Sequence, residues 1–157
     1  MANYALTNSN AGTQQSVSST YKSLIAVAAS SGTALRRIKI YDILVGTNGT
    51  PADNYMEWDV SRQTAAGTGT SLTPNALDPA DAAALSVCLA NLTVEPTVTA
   101  SSSVFYVGVN QRASYRWVAA PGSELVGPAT NLYGFAGRTR SGGYTSTATM
   151  TMLYQEQ

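Results

Sequence analysis

Histidine is absent from the 157-residue chain, and cysteine occurs only once. The absence of histidine removes the commonest general base and the commonest metal ligand. The single cysteine, Cys88, can neither close a disulfide within the chain nor build a thiolate metal site, and we expect it to be a small core residue. We therefore expect no enzymatic activity, no metal and no cofactor.

Charge is scarce as well as balanced. Charged residues make up 11% of the chain, against about 25% in an average protein, and nine cations balance nine anions. A nucleic-acid-binding protein needs a basic surface that displaces counterions from phosphates, and nine scattered cations do not form one. The longest apolar run covers residues 24–29, far short of the ~20 residues that cross a bilayer. We expect neither a nucleic-acid partner nor a membrane one.

Serine and threonine supply the polarity instead, and their spacing predicts strands. The chain has 17 serines and 19 threonines, many of which alternate with apolar residues in the two-residue period of a strand. Glycine and proline clusters separate these runs as turns. The predicted strands cover residues 21–29, 35–45, 55–63, 87–94, 104–109, 114–119 and 144–154. This pattern indicates an all-β, jelly-roll-like β-sandwich.

Two segments depart from the strand pattern. Asp78 is a good helix N-cap and Pro79 suits the first helical turn, so the alanine-rich run that follows predicts one short helix ending near Leu85. Residues 1–20 are polar and contain no lysine or arginine, and they resemble no signal peptide. We expect them to form an extended, flexible N-terminal arm outside a single domain of residues 21–157.

Two acidic residues on one predicted strand have two interpretations. Glu57 and Asp59 lie two positions apart and share a strand face. A glycosidase uses two carboxylates at a set separation across a cleft, whereas an ordinary hairpin would pair them with Arg37 and Lys39 on the preceding strand. The hairpin interpretation is favoured, because nothing else in the sequence marks a catalytic site.

Aromatic and arginine side chains cluster in residues 110–119. Arg112, Tyr115, Arg116 and Trp117 are of the types enriched at protein interfaces. The alternative is an ordinary strand with Trp117 in the core and Arg116 in solvent. Together with Tyr41, which lies on a predicted strand, these four are the candidate interface residues.

Three stretches of sequence carry a resemblance over roughly residues 20 to 155. They are IYDILVG at 40–46 with GTPADN at 49–54 and TAAGT at 64–68; LDPAD at 77–81 with EPT at 95–97; and NQRASYRWVAAPGSELV at 110–126. The chain resembles a family of small virion proteins of tailed bacteriophages, most closely a capsid decoration, or cement, protein. This resemblance transfers no catalytic residue.

The resemblance implies a structural role on the particle. It implies a protein made in the host cytoplasm that attaches to the outer surface of the virion capsid, with the major capsid protein and copies of itself, in a homotrimer, as partners. The alternatives are a carbohydrate- or receptor-binding module of a tail fibre, with Trp117 and Tyr133 as exposed platforms, and a minor structural protein of the tail.

Overall fold

Strands account for nearly all regular structure in the computed structural model, which describes residues 1–12 and 14–157. The strands are β1 (Asn3–Thr7), β2 (Gln15–Val17), β3 (Lys22–Ala28), β4 (Ile38–Asn48), β5 (Tyr55–Ala65), β6 (Thr68–Ser71), β7 (Asn75–Ala76), β8 (Val87–Val94), β9 (Thr97–Asn110), β10 (Tyr115–Val118), β11 (Leu125–Val126), β12 (Gly134–Ser141) and β13 (Ser146–Glu156). One 3-10 helix spans Asn8–Ala11. No helix in the described part of the chain is long and apolar enough to cross a membrane.

The strands form two antiparallel sheets. Sheet A has the order β10-β4-β13-β1-β7, with β11 beside β4 and β2 beside β13. Sheet B has the order β6-β8-β3-β12-β5-β9. The strands β9 and β10, which follow each other in the chain, are therefore end strands of different sheets.

The hydrophobic core lies between the sheets. Sheet A contributes Met150 and Met152 of β13, and sheet B contributes Met56, Trp58 and Val60 of β5, all fully buried. Along β13 the buried residues alternate with half-buried threonines, as their spacing predicts. The prediction of an all-β protein built from two packed sheets is confirmed.

The predicted flexible N-terminal arm is wrong, because both β1 and β2 pair with β13. Instead of lying outside the domain, β1 pairs along its length with the last strand, from Asn3 beside Gln155 to Thr7 beside Thr151. Tyr4 and Leu6 point inward and are almost completely buried. Strand β1 has only two buried apolar residues, and they suffice because β13 and β7 pair with it on its two sides.

The predicted short helix is also wrong. Residues 77–81 form a turn, closed by a hydrogen bond from the amide of Asp81 to the carbonyl of Asp78, and residues 82–85 have no regular structure. Side chains from sheet A form hydrogen bonds with backbone groups of this segment that would pair with each other in a helix. The Tyr4 hydroxyl donates to the carbonyl of Ala82, and the Glu156 carboxylate accepts from the amides of Leu85 and Ser86. So short a helix gains too little to compete with these bonds.

The predicted hairpin between β4 and β5 does not exist, because the two strands belong to different sheets. Lys39 pairs with Glu124, with 3.2 Å between their charged atoms. Glu57 and Asp59 face β12, a strand that the sequence did not indicate. The link between β4 and β5 therefore crosses from one layer of the sandwich to the other.

Candidate functional site

The five candidate interface residues do not form one surface. Tyr115, Arg116 and Trp117 lie on β10, whose side chains alternate between the outside of sheet A and the gap between the sheets. Arg116 lies on the outer side, as does Tyr41 of the neighbouring β4. Tyr115 and Trp117 point toward sheet B. Arg112 lies apart from them, in the turn between β9 and β10.

Arg116 forms a two-pronged ion pair with Asp42 of β4. Its Nε donates to both carboxylate oxygens, at 3.0 and 3.2 Å, and its Nη2 lies 2.5 Å from Oδ2. The hydrogen bonds to Asp42 raise the pKa of the Arg116 guanidinium above its ordinary value. The Asp42 side chain is 7% exposed and that of Arg116 is 62% exposed. The pair therefore leaves no net charge on this part of the sheet.

Apolar side chains surround that neutral pair. Leu44 is 45% exposed and Val118 is 58% exposed. In the strand register, Leu44 lies opposite Arg116, and Val118 lies opposite Asp42, so all four share the outer face. A small hollow of about 100 Å³ lies between the ion pair and β13. We call this surface the Leu44 patch: Asp42, Leu44, Arg116, Val118, Thr151 and Leu153.

Tyr115 and Trp117 pack instead on Phe105 of β9. The ring centroids of Tyr115 and Trp117 lie 6.2 and 6.0 Å from that of Phe105, in tilted arrangements. Trp117 is half-buried against the core, whereas Tyr115 is 38% exposed. These three rings form the aromatic cluster at the edge where the end strands β9 and β10 meet. Trp117 thus serves mainly the core, as the alternative interpretation proposed.

Tyr41 lines a separate open groove on the outer side of sheet A. The groove holds about 430 Å³ and is bounded by Leu77, Pro121 and the Lys39–Glu124 pair. The pKa of Tyr41 is raised, chiefly by partial burial and then by the charge of Asp42. The pKa of Glu124 is lowered, first by its own backbone amide and then by Lys39. The groove is mixed in polarity, and its charges are paired.

Arg112 contacts the loop between β4 and β5 and does not belong to a surface shared with the other candidate residues. Its Nε lies 3.6 Å from a carboxylate oxygen of Asp53 and 3.4 Å from the carbonyl oxygen of Pro51. Both charged side chains are well exposed, at 60% and 74%, so this pair contributes little to stability. It joins the β9–β10 turn to the loop between β4 and β5.

A set of ion pairs that the sequence did not reveal lies on the outer face of sheet B. Arg138 of β12 binds Asp59 at 2.6 Å and Ser61 at 2.9 Å, and Arg140 binds Glu57 at 2.5 Å. The guanidinium carbons of Arg138 and Arg140 lie 4.7 and 4.8 Å from the centre of the Tyr21 ring. Burial, followed by the charge of Glu57, raises the pKa of Tyr21 to about 12.

This arrangement bears on the glycosidase interpretation. Asp59 and Glu57 are each held by an arginine, and the Asp59 side chain is only 4% exposed. Each carboxylate thus has a basic cross-strand partner, as the hairpin interpretation expected, but the partners are Arg138 and Arg140 of β12 and not residues of β4.

Cys88 lies in the core, as predicted. It is 2% exposed and contacts Ser86 and the Tyr154 hydroxyl. Burial raises the pKa of the thiol to about 11, which keeps it protonated at neutral pH. Within residues 1–12 and 14–157, no three cysteine or acidic side chains gather in a way that could hold a metal ion.

Comparison of this chain with protein-family models, with curated proteins and with solved structures finds no match.

Proposed function

We propose that this protein is a structural component of a tailed-phage particle, which binds the outer surface of the capsid and stabilises the shell. The sequence resemblance supports the assignment to a phage particle, and the Leu44 patch supports attachment to another protein surface. The partners in this proposal are the major capsid protein and further copies of the chain. A jelly-roll-like topology and a trimer belong to the same proposal, because both follow from the resemblance.

The observation that carries the proposal is the exposed apolar character of the Leu44 patch. Leu44 and Val118 expose about half of their side chains beside an ion pair without net charge. Apolar groups with few unpaired charges are typical of the centre of a protein interface. Three regular strands carry the patch, so little conformational entropy is lost when it binds.

Repetition would strengthen a modest patch. A capsid presents the same surface many times, so an oligomeric decoration protein meets several shell subunits at once. Each additional contact forms at a high effective concentration, and weak contacts sum to a slow release. The zero net charge of the chain avoids repulsion between neighbouring copies.

The test is binding to shells that lack the protein, with Val118→Lys as the main variant. A lysine there places an unpaired charge in the interface, so we expect the affinity for shells to fall by about tenfold or more. Val94→Lys is the matched control, because Val94 is also 58% exposed but lies on β8 of the other sheet. Equal binding of the two variants in a co-sedimentation assay would contradict attachment through the Leu44 patch.

The second candidate function is a carbohydrate- or receptor-binding module of a tail fibre. Trp117 no longer supplies its platform, because that ring is half-buried against Phe105. Tyr55 and Tyr106 do favour it, since they are 57% and 58% exposed on the outer face of sheet B. A glycan-array signal that is lost in Tyr106→Ala and kept in Val118→Lys would favour this function over the first.

The remaining alternative, a minor structural protein of the tail, differs from a capsid decoration protein in its position on the particle. A minor structural protein of the tail would share the fold and the patch but would lie outside the head. Labelled protein located on intact particles by electron microscopy should appear on the capsid surface. A label found only at the tail would replace the capsid proposal with the tail one.

A further inference from the structure

The end strand β9 is the longest unpaired edge in the described part of the chain. Its residues Phe105–Asn110 pair without interruption with Val60–Tyr55 of β5, and no other strand pairs with β9 on its far side. The opposite edge of sheet B is the four-residue β6. The end strands of sheet A have four residues in β10 and two in β7.

From Phe105 to Asn110 this edge lacks the usual protection against pairing with another chain, whereas earlier in β9 the register with β5 shifts three times, as it does at protective bulges. Natural edge strands are kept apart by charged side chains, by proline or by being very short. Residues 97–110 read TVTASSSVFYVGVN, without one charge or proline. The stretch from Val104 to Val109 is also rich in β-branched and aromatic residues, which favour strand pairing. Its open row of backbone groups is therefore suited to accept another strand.

We propose that β9 pairs antiparallel with β9 of a second copy of this chain, joining two sheets B into one continuous sheet. The inference goes beyond the proposed function: it keeps self-association, but it replaces the trimer that the resemblance implies with a two-fold dimer. A second copy of this chain is the partner that best matches the edge, because its β9 has the same length and no charge, and its backbone groups are complementary across a two-fold axis.

Side-chain direction limits the register of this pairing. A two-fold axis perpendicular to the sheet keeps outer faces together, so residues directly opposite each other must both point outward or both inward. Tyr106 and Gly108 both lie on the outer face, opposite Asp59 and Glu57 of β5. An axis through Val107 places each Tyr106 opposite the partner's Gly108.

That register fits the space available at the edge. Tyr106 is 58% exposed, and the direction in which Gly108 would carry a side chain is open, with its nearest atom 4.0 Å away. A tyrosine ring lying across the glycine of a paired strand covers backbone that would otherwise stay exposed. Residues 104–110 of both copies would pair, forming about seven backbone hydrogen bonds.

The pairing would also cover the aromatic cluster. Phe105 lies on β9 and Tyr115 on β10, and both rings are partly exposed at the edge where the second copy would lie. Their burial adds an apolar contribution to the backbone bonds. This contribution would account for Tyr115, an interface-type residue of β10 that points away from the Leu44 patch.

A charge-swap experiment tests the pairing and its register together. Tyr106→Glu with Gly108→Glu sets like charges against each other across the two-fold axis, as does Tyr106→Lys with Gly108→Lys. We expect the wild-type chain to sediment at twice its mass of 16.4 kDa. Each double variant should associate about tenfold or more weakly than the wild type, because like charges directly opposite destabilise a strand pair. A mixture of the two variants should form a mixed dimer.

The control places the same charges on the opposite edge of sheet B. Thr68 and Thr70 of β6 are exposed, and their replacement by lysine should leave the dimer intact. Circular dichroism of every variant checks that the fold is retained. A monomeric wild type, a trimer, or a mixture that forms no mixed dimer would overturn the proposal.

These measurements use the free protein and no shells. Failure of β9 pairing is therefore distinguishable from failure of capsid binding, which the Val118→Lys comparison tests. A trimer in solution would favour the assembly that the resemblance implies and would contradict the two-fold pairing.

Discussion

Replacement of Arg138 by methionine should destabilise the protein far more than the same change at Arg140. Arg138→Met leaves the Asp59 carboxylate with only the Ser61 hydroxyl as a partner, and the Asp59 side chain is 4% exposed. Removing one member of a buried ion pair costs about 3–5 kcal/mol, because the other charge stays buried without compensation. Arg138 itself is 21% exposed, so water reaches part of the pair. We therefore expect a loss near the lower end, about 3 kcal/mol.

Arg140→Met is a closely matched control. Both guanidinium groups stack on the Tyr21 ring at nearly the same distance, 4.7 and 4.8 Å, so both variants lose a similar stacking contact. The Arg140 side chain is 43% exposed, and its partner Glu57 is 14% exposed. The more solvated pair should cost about 1 kcal/mol or less. The difference between the variants isolates the burial of Asp59.

Urea unfolding monitored by fluorescence measures both losses, provided that the slope of the transition is unchanged. A loss of about 3 kcal/mol corresponds to a fall in the melting temperature of about 6–12 °C for a domain of this size. The double variant Asp59→Val with Arg138→Met removes both charges and should recover most of the loss. Equal losses at Arg138 and Arg140, or no recovery in the double variant, would refute this reasoning.

Three further predictions follow from burial. Leu6→Ala should lower the free energy of unfolding by about 2–5 kcal/mol, because Leu6 of β1 is part of the core. Thr7→Ala, on the outer side of the same strand, should change it by less than about 0.5 kcal/mol. Equal denaturation midpoints for the two variants would contradict the burial of β1. Gly137→Ala should cost about 1–3 kcal/mol, since its new methyl group would clash with the sulfur of the buried Met150, and Gly46→Ala, whose new methyl group would meet only ordinary contacts at 3.8 Å, is the calorimetric control. Burial raises the pKa of the Cys88 thiol to about 11 and shields it from solvent. At neutral pH the thiol should therefore react with a maleimide only as fast as the protein unfolds. Rapid labelling of the native protein would contradict the buried placement of Cys88.

Local sequence pattern predicted the strands that carry a regular alternation. The predicted strand at 87–94 matches β8, and that at 55–63 lies within β5. In both, every second residue is apolar, and one face packs on the core. Cys88 was placed correctly for the same reason, since its neighbours continue that pattern.

The pattern of alternating polarity did not predict β12, because the residues of this strand are determined by close packing between the sheets. Strand β12 reads GFAGRTRS, and its glycines and arginines look like a loop. Gly134 is needed because a side chain there would clash with the Val27 carbonyl oxygen, and Gly137 because Met150 and Met152 of sheet A approach it closely. The arginines of β12 find their carboxylates on β5, a strand far away in the sequence. Without β12, the partners of Glu57 and Asp59 could not be predicted.

The candidate surface was predicted only in part for a similar reason. Of the candidate interface residues, Arg116 and Tyr41 lie on the outer face of sheet A, whereas Tyr115 and Trp117 point inward. Whether Trp117 points outward or inward depends on the register in which β10 pairs with β4, which sets Trp117 opposite the buried Ile43 and brings it to Phe105. Such pairings are set by the arrangement of both sheets, and a single sequence carries little information about them.

The central place of β13 in sheet A governs when the protein can fold during synthesis. Strand β13 lies between β4 and β1, and all the other described strands precede it in the chain. At ~5–20 residues per second, a ribosome needs on the order of ten seconds to add the residues that separate β1 from its partner. Throughout that interval Tyr4 and Leu6 have no sheet to enter, so the nascent chain exposes them to chaperones and to neighbouring nascent chains. Folding of sheet A then requires closure of the long loop between β1 and β13, which favours slow, late folding of this sheet over stepwise folding from β1 onward.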